Sequence, residues 1–181
     1  GFMDEHYENL CSRYPQIKTV RNEKYSETGT MYSLWCARNL VNTDFILLES
    51  DLIFETRAIS ELLESPVKNS LLITGKTEAG DEVYVEAIEN RVIGISKNRD
   101  LIKESVGEYV GIAKISKLLY DRLIQSADSN PKLSYDMDCL VQIAREHPVY
   151  YFRMEGLDWA EIDDLEQLAR AQKVLERIEA T

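Results

Sequence analysis

Cysteine is scarce and scattered. The 181 residues carry three, Cys11, Cys36 and Cys139, far apart and with no CxxC pair. That spacing excludes a disulfide framework and a zinc-finger pattern, and the odd count suits reduced thiols in a cytoplasm, the compartment expected here. The two histidines, His6 and His147, stand in polar helical surroundings and belong to no Ser-His-Asp arrangement. No apolar run approaches the roughly 20 residues that span a bilayer, and no signal-peptide pattern opens the chain, so no membrane partner is expected. No basic patch interrupts a formal net charge of −11, which argues against a nucleic-acid partner. GxGxxG is also absent, and with it the dinucleotide-binding fingerprint.

What is present is ordinary in bulk: 44% hydrophobic and 29% charged residues, enough chain for one domain, 1–181, with a real core. Most of the negative charge reads as solvated helix faces. An acidic protein still binds an anionic nucleotide through local Lys or Arg, backbone N–H groups or a metal ion, and surplus carboxylates also suit a cationic substrate.

Periodicity gives the order of elements. Residues 4–14 read as an amphipathic helix stopped by Pro15, 17–20 as a short strand, and 22–30 as a polar loop. Met31–Leu40 has helical spacing. Asp44–Leu48 is apolar with almost no alternation, as in a parallel strand buried on both faces. Arg57–Glu64 is a helix ending before Pro66. Ser70–Gly75, Glu82–Ile88, Val92–Ser96, Glu108–Ile115 and Val149–Arg153 read as strands, with a tight turn at Asn90-Arg91. Lys117–Ala127 and Tyr135–Glu146 are helices around the loop DSNPKLS, and Asp164–Ile178 is a terminal helix. The alternation implies an α/β domain with a mostly parallel sheet and an antiparallel middle.

Within FILLESDLIFE, Asp51 falls just past the end of a buried strand, where open α/β sheets place ligands. It reads either as a turn or cap residue or as a Mg²⁺ ligand, since Mg²⁺ takes hard oxygens from one or two carboxylates plus phosphates. A second acidic run covers Asp158 to Asp164. If 159–163 is extended, Glu161 and Asp163 point to one side, as a metal site or a repulsive pair. Asp163 with Glu166 also fits a helix start. Lys97 ends a strand, as a phosphate contact or a solvated tip. Glu108 precedes a buried strand, facing a ligand's hydroxyl or ammonium, or water. Tyr32, Trp35, Tyr109, Tyr135 and Trp159 suit a pocket for an ammonium group, and each alone reads more often as core.

Taken in order, NEKYSETGTMYSLWCARNL, FILLESDLIFE, GISK, GEYVGIAKIS, NPKLSYDMDCL and WAEIDDLEQLARA resemble the nucleotidyltransferases of the sugar-nucleotide and phosphocholine cytidylyltransferase type. LLESDLIFE, GDEVYVE and NPKLSYD carry a finer resemblance to the cytidylyltransferase module for 2-aminoethylphosphonate. The resemblance spans nearly the whole chain. It implies a three-layer α/β/α fold of the nucleotide-diphospho-sugar transferase kind, Rossmann-like, with a mixed, largely parallel sheet. It implies transfer of CMP from CTP to an amine-bearing phosphonate or phosphate, with release of pyrophosphate and with Mg²⁺ as cofactor. Under it, Asp51, Glu161 and Asp163 bind the metal, and Asp51, Lys97 and Asp163 are catalytic. Tyr32 and Ser33 line the cleft, and Glu108, Tyr135, Asp136 and Asp158 face the acceptor.

One departure is large. The family's glycine-rich loop, which wraps the triphosphate after the first strand, does not occur in these 181 residues. The resemblance therefore implies that the N-terminal strands and the base-reading part are missing here, and that this piece alone has little or no activity. The sheet edge so exposed suggests a homodimer or a swapped contact. A sugar-phosphate nucleotidyltransferase and a non-catalytic nucleotide-binding remnant are the alternative readings.

Overall fold

A computed structural model describes residues 3–77, 79–129 and 135–180. They pack as two compact units, Gly1–Thr43 with Lys117–Ile143, and Asp44–Ser116 with Ala144–Thr181.

The first unit is helical. Helix α1 (Glu5–Arg13) ends at Tyr14, whose backbone is extended because the residue before a proline is pushed out of the helical region. Residues 17–20, expected as a strand, are not one: they pair with no strand among the described residues, and β propensity alone does not hold an unpaired segment. Helix α2 (Thr30–Cys36) buries Met31 and tightens into a 3₁₀ turn over Ala37–Asn39, so the helix expected to Leu40 ends on a narrower coil. Helix α4 (Lys117–Ser129) buries Leu119, Tyr120 and Leu123, and the Tyr120 hydroxyl donates to the Leu34 carbonyl at 2.8 Å. Helix α5 (Asp136–Ala144) follows; of the loop expected over 128–134, residues 128 and 129 extend α4, and 130–134 lie outside the described residues.

The second unit is a mixed sheet with a helix on its core side. Its strands are β1 (Phe45–Leu48), β3 (Ser70–Thr74), β4 (Tyr84–Ile88), β5 (Arg91–Ser96), β6 (Ser105–Ile115) and β7 (Tyr150–Arg153), in the order β1-β6-β3-β7-β5-β4, and β4 also pairs with β6. β3 is the centre: all five residues are buried, β6 runs antiparallel on one side and β7 parallel on the other. That is the one parallel pairing among the described strands, so the sheet is mixed with a smaller parallel share than strand–helix alternation suggests. β1 is antiparallel to β6 and only half-buried, with Leu48 exposed; its unbroken apolar run marks a strand at the end of the described order. The β4–β5 hairpin turns on Glu89 and Asn90, both at positive φ, one residue earlier than expected.

Helix α3 (Arg57–Glu64) buries Ala58 and Leu62 against Leu72, Val110, Ile112 and Met154. Its C-terminal carbonyls are met by one lysine from β6: Lys114 Nζ donates to Leu62, Leu63 and Ser65 at 3.2, 3.1 and 2.8 Å. A second, two-stranded sheet pairs β2 (Leu52–Phe54) with β8 (Trp159–Glu161), antiparallel, and α6 (Leu165–Glu179) packs on it. Asp164 caps α6 with a complete capping box to Gln167, so the helix starts one residue later than the Asp163–Glu166 pattern indicates. Among the described residues, no helix is long and apolar enough to cross a membrane.

Candidate active site

The interruption in FILLESDLIFE is where the chain changes sheets. β1 ends at Leu48, and the Glu49 N–H donates to the Gly111 carbonyl at 2.9 Å as the last tie to β6. The chain turns at Ser50 and Asp51 and enters β2, which pairs with β8 rather than with the main sheet. In that ladder Leu52 faces Glu161, and the Ile162 N–H donates to the Asp51 carbonyl at 2.9 Å. The four-residue β1 and the three-residue β2 belong to different sheets; the polar trio Glu49, Ser50 and Asp51 makes the switch and leaves its two carboxylates at the junction.

Those two carboxylates converge with a third, from β8. Oxygens of Glu49, Asp51 and Glu161 all lie within 4.8 Å of one another, and all three side chains are half-buried. One oxygen of Asp51, Oδ1, is fully buried with no hydrogen-bond partner among the described groups. A buried carboxylate oxygen without a donor is costly, and a hard cation is what relieves it. The donor set, all oxygen and all anionic, fits Mg²⁺ or a similar divalent ion. Burial, first, raises the Glu161 pKa above the ordinary carboxylate range; Lys97 opposes this, and Asp163, Asp51 and Asp81 add to it.

Asp163, expected as the third ligand, is not in this converging set, whose third member is Glu49. Asp163 lies past the end of β8, exposed, with its N–H bonded to the Gln167 side chain, and its charge is felt at Glu161. Strand alternation put 161 and 163 on one face, but the ladder ends at Glu161 and the chain turns into the α6 cap. Lys97 is exposed just past β5 and acts on Glu161 through its charge.

Beside the trio opens a cavity of about 360 Å³. Glu108, Glu161, Asp81 and Asp158 line it, with Arg170 and Arg177 from α6 and the Trp159 ring. Glu108 is 3% exposed; its two oxygens accept from the Thr77 N–H at 2.7 Å and the Thr77 hydroxyl at 3.0 Å. Burial raises its pKa, and the two Thr77 bonds hold the rise back. Asp158 is already matched: Arg177 Nη2 sits 2.6 Å from its Oδ1. Gln167, buried, donates to Asp81 and ties it to the start of α6. Trp159 Nε1 donates to Thr74 Oγ1 at 3.2 Å, which fixes the ring in the wall.

The remaining expected residues belong to the first unit, and the site described above is drawn from the second alone. Tyr32 stacks on Trp35 with ring centres 5.3 Å apart, and Arg38 lies over the other ring. Ser33 accepts from Asn22 at 3.0 Å, Asp136 accepts from the Thr30 hydroxyl at 2.8 Å, and Tyr135 is exposed. Sequence reasoning assigned no role to Glu49, Asp81, Arg170 or Arg177. Glu49 was findable as the other acid of LLESD, two residues before Asp51; the others come from loops and a helix face that only folding brings to the cavity.

No protein-family model matches the chain. It is similar to the bifunctional protein GlmU of Methanococcus maripaludis, 24% identical over 156 residues, which is 82% of this chain and 36% of that protein. The chain thus spans about a third of the length of that relative. Among solved structures it matches the inositol-1-phosphate CTP transferase from T. maritima, with a TM-score of 0.78, 20% identity, and coverage of 98% of this chain and 74% of that one. It also matches the CTP:phosphocholine cytidylyltransferase from Streptococcus pneumoniae, with a TM-score of 0.73, 17% identity, and coverage of 97% and 75%. These likenesses establish a shared fold, the α/β nucleotide-diphospho-sugar transferase fold.

Proposed function

We propose that this chain is part of a nucleotidyltransferase that moves CMP from CTP to a small amine-bearing phosphonate or phosphate and releases pyrophosphate. The observation that carries the reading is the convergence of Asp51 and Glu161 from distant segments, with a buried Asp51 oxygen that has no partner. An acceptor oxygen forms a bond to the α-phosphorus as the bond to pyrophosphate breaks, and the work left to the protein is positioning and charge neutralisation. Asp51 and Glu161 would hold a divalent cation, with Asp163 adding to the acidic surround. Such an ion, when bound, supplies positive charge to the phosphate oxygens. Lys97, whose charge is felt at Glu161, would meet phosphate.

The cavity supports a cationic acceptor. Four carboxylates face two guanidiniums, and both guanidiniums already have acidic partners, Asp81 for Arg170 and Asp158 for Arg177. Glu108 is left as the deeply buried anion. Among the described residues a single ring, Trp159, lines the cavity. A quaternary ammonium favours a cage of several rings, whereas a primary ammonium favours carboxylates and one ring. That balance supports a primary amine, as in 2-aminoethylphosphonate, over phosphocholine.

The test measures pyrophosphate release from CTP and Mg²⁺ by the protein that carries this chain, with 2-aminoethylphosphonate, phosphocholine or a hexose 1-phosphate. Release is expected with 2-aminoethylphosphonate, and Asp51→Asn lowers it by about 100-fold or more. Release only with the hexose phosphate supports the sugar-nucleotide reading. Release with none of the three, while CTP still binds, supports a non-catalytic binder and overturns the proposal.

A further inference from the structure

Glu49 enters the acidic junction by a route that leaves a mark on a neighbouring strand. Gly111 lies in the middle of β6, where the residues around it, Val110, Ile112 and Ala113, are fully buried and apolar. Its φ is +82°, a left-handed conformation that other residues resist. A Cβ there would stand 3.1 Å from Glu49 Oε2, 3.3 Å from Glu49 Cβ and 2.9 Å from Leu52 Cδ1. A glycine inside a strand loses packing and adds backbone entropy to the unfolded chain. Here the vacated space is the floor on which the Glu49 side chain lies, and the Gly111 carbonyl takes the Glu49 N–H. The sheet is shaped so that an acidic side chain lies flat over it and ends within 4.8 Å of Asp51 and Glu161.

We infer that Glu49 is a further ligand of the divalent-cation site, which makes that site a three-carboxylate one able to take the ion before any nucleotide arrives. The inference rests on the cation reading of the cluster. Mg²⁺ sites in phosphoryl-transfer proteins commonly use one or two carboxylates and rely on substrate phosphates for the rest. A third carboxylate raises the affinity of the empty site for a divalent ion and makes ion binding less dependent on the nucleotide.

The experiment counts free Mn²⁺ by electron paramagnetic resonance in the absence of nucleotide, with the intact chain and four variants: E49Q, E49D, D51N and, as a control on the exposed end of α3, E64Q. The expected result is binding by the unaltered chain, a loss of about 10-fold or more in E49Q, and no change in E64Q. E49D keeps the charge but draws it back by one methylene, and it too binds more weakly than the unaltered chain. If E49Q and E49D bind as the unaltered chain does while D51N fails, Glu49 is not a ligand and the inference falls, with the cation site intact. If D51N also binds as the unaltered chain does, the cation reading itself falls.

Discussion

Glu161→Gln tests the acidic junction through stability rather than through catalysis. Without a cation, Glu161 is a half-buried carboxylate within 4.8 Å of oxygens of Asp51 and Glu49. At that distance two unit charges repel by about 1 kcal/mol in water and about 3.5 kcal/mol at an effective dielectric constant near 20. Partial exposure pulls the value toward the lower end, and the opposing charge of Lys97 cancels part of it. The net repulsion relieved by the neutral, similarly sized amide is about 1 kcal/mol. For a chain of this length that is a rise in Tm of about 2–4 °C. The linkage has the matching sign: burial raises the folded-state pKa of Glu161, so its penalty is absent at low pH and grows as pH rises through the carboxylate range. The assay is a thermal melt at neutral pH with chelator, repeated with millimolar Mg²⁺. The unaltered chain melts higher with Mg²⁺, by mass action. The variant melts higher than the unaltered chain in chelator and gains little from Mg²⁺. A variant that melts lower in chelator refutes the reasoning, because the cluster would then be satisfied without an ion.

Four further outcomes follow from particular contacts. Lys114→Met leaves three carbonyls at the end of α3 without their charged donor and lowers stability by about 1.5–3 kcal/mol, read by urea melts, whereas Lys114→Arg recovers part of it. Leu62→Ala, fully buried in the core under β3 and β6, costs about 2–5 kcal/mol in the same assay. Glu55 has its pKa lowered, chiefly by its bond from Arg57 and then by the Asp158 N–H, so its contribution is present above its ordinary value of 4.5 and lost as pH falls below that. Glu55→Gln therefore flattens the acid limb of a stability–pH profile. Gly111→Ala forces a left-handed alanine against Glu49 and Leu52 and costs about 1–2 kcal/mol, while an alanine at exposed Gly80, also at positive φ but with nothing near it, loses only the conformational part.

The sequence disclosed most where the physics is local. The helix over 57–64, the buried strand over 70–74 and the hairpin before Ser96 came from periodicity and turn residues, and each stands within a residue or two of its expected place. It misled where pairing decides. Residues 17–20 have strand composition and no partner strand, and the apolar run of β1 reads as parallel and doubly buried although it is neither. Asp51 and Glu161 were legible as acids at strand ends, but their meeting depends on β2, a three-residue strand too short to announce itself, and on its register with β8. The same register removes Asp163 from the converging set and admits Glu49, a choice invisible without knowing that Gly111 offers the floor.

The central claim, a divalent cation held where the two sheets meet, is most directly tested by anomalous diffraction from a crystal soaked in Mn²⁺. The account predicts one strong peak bounded by carboxylate oxygens of Asp51, Glu161 and Glu49. A peak elsewhere, with those three carboxylates hydrogen-bonded to protein and water alone, would contradict it.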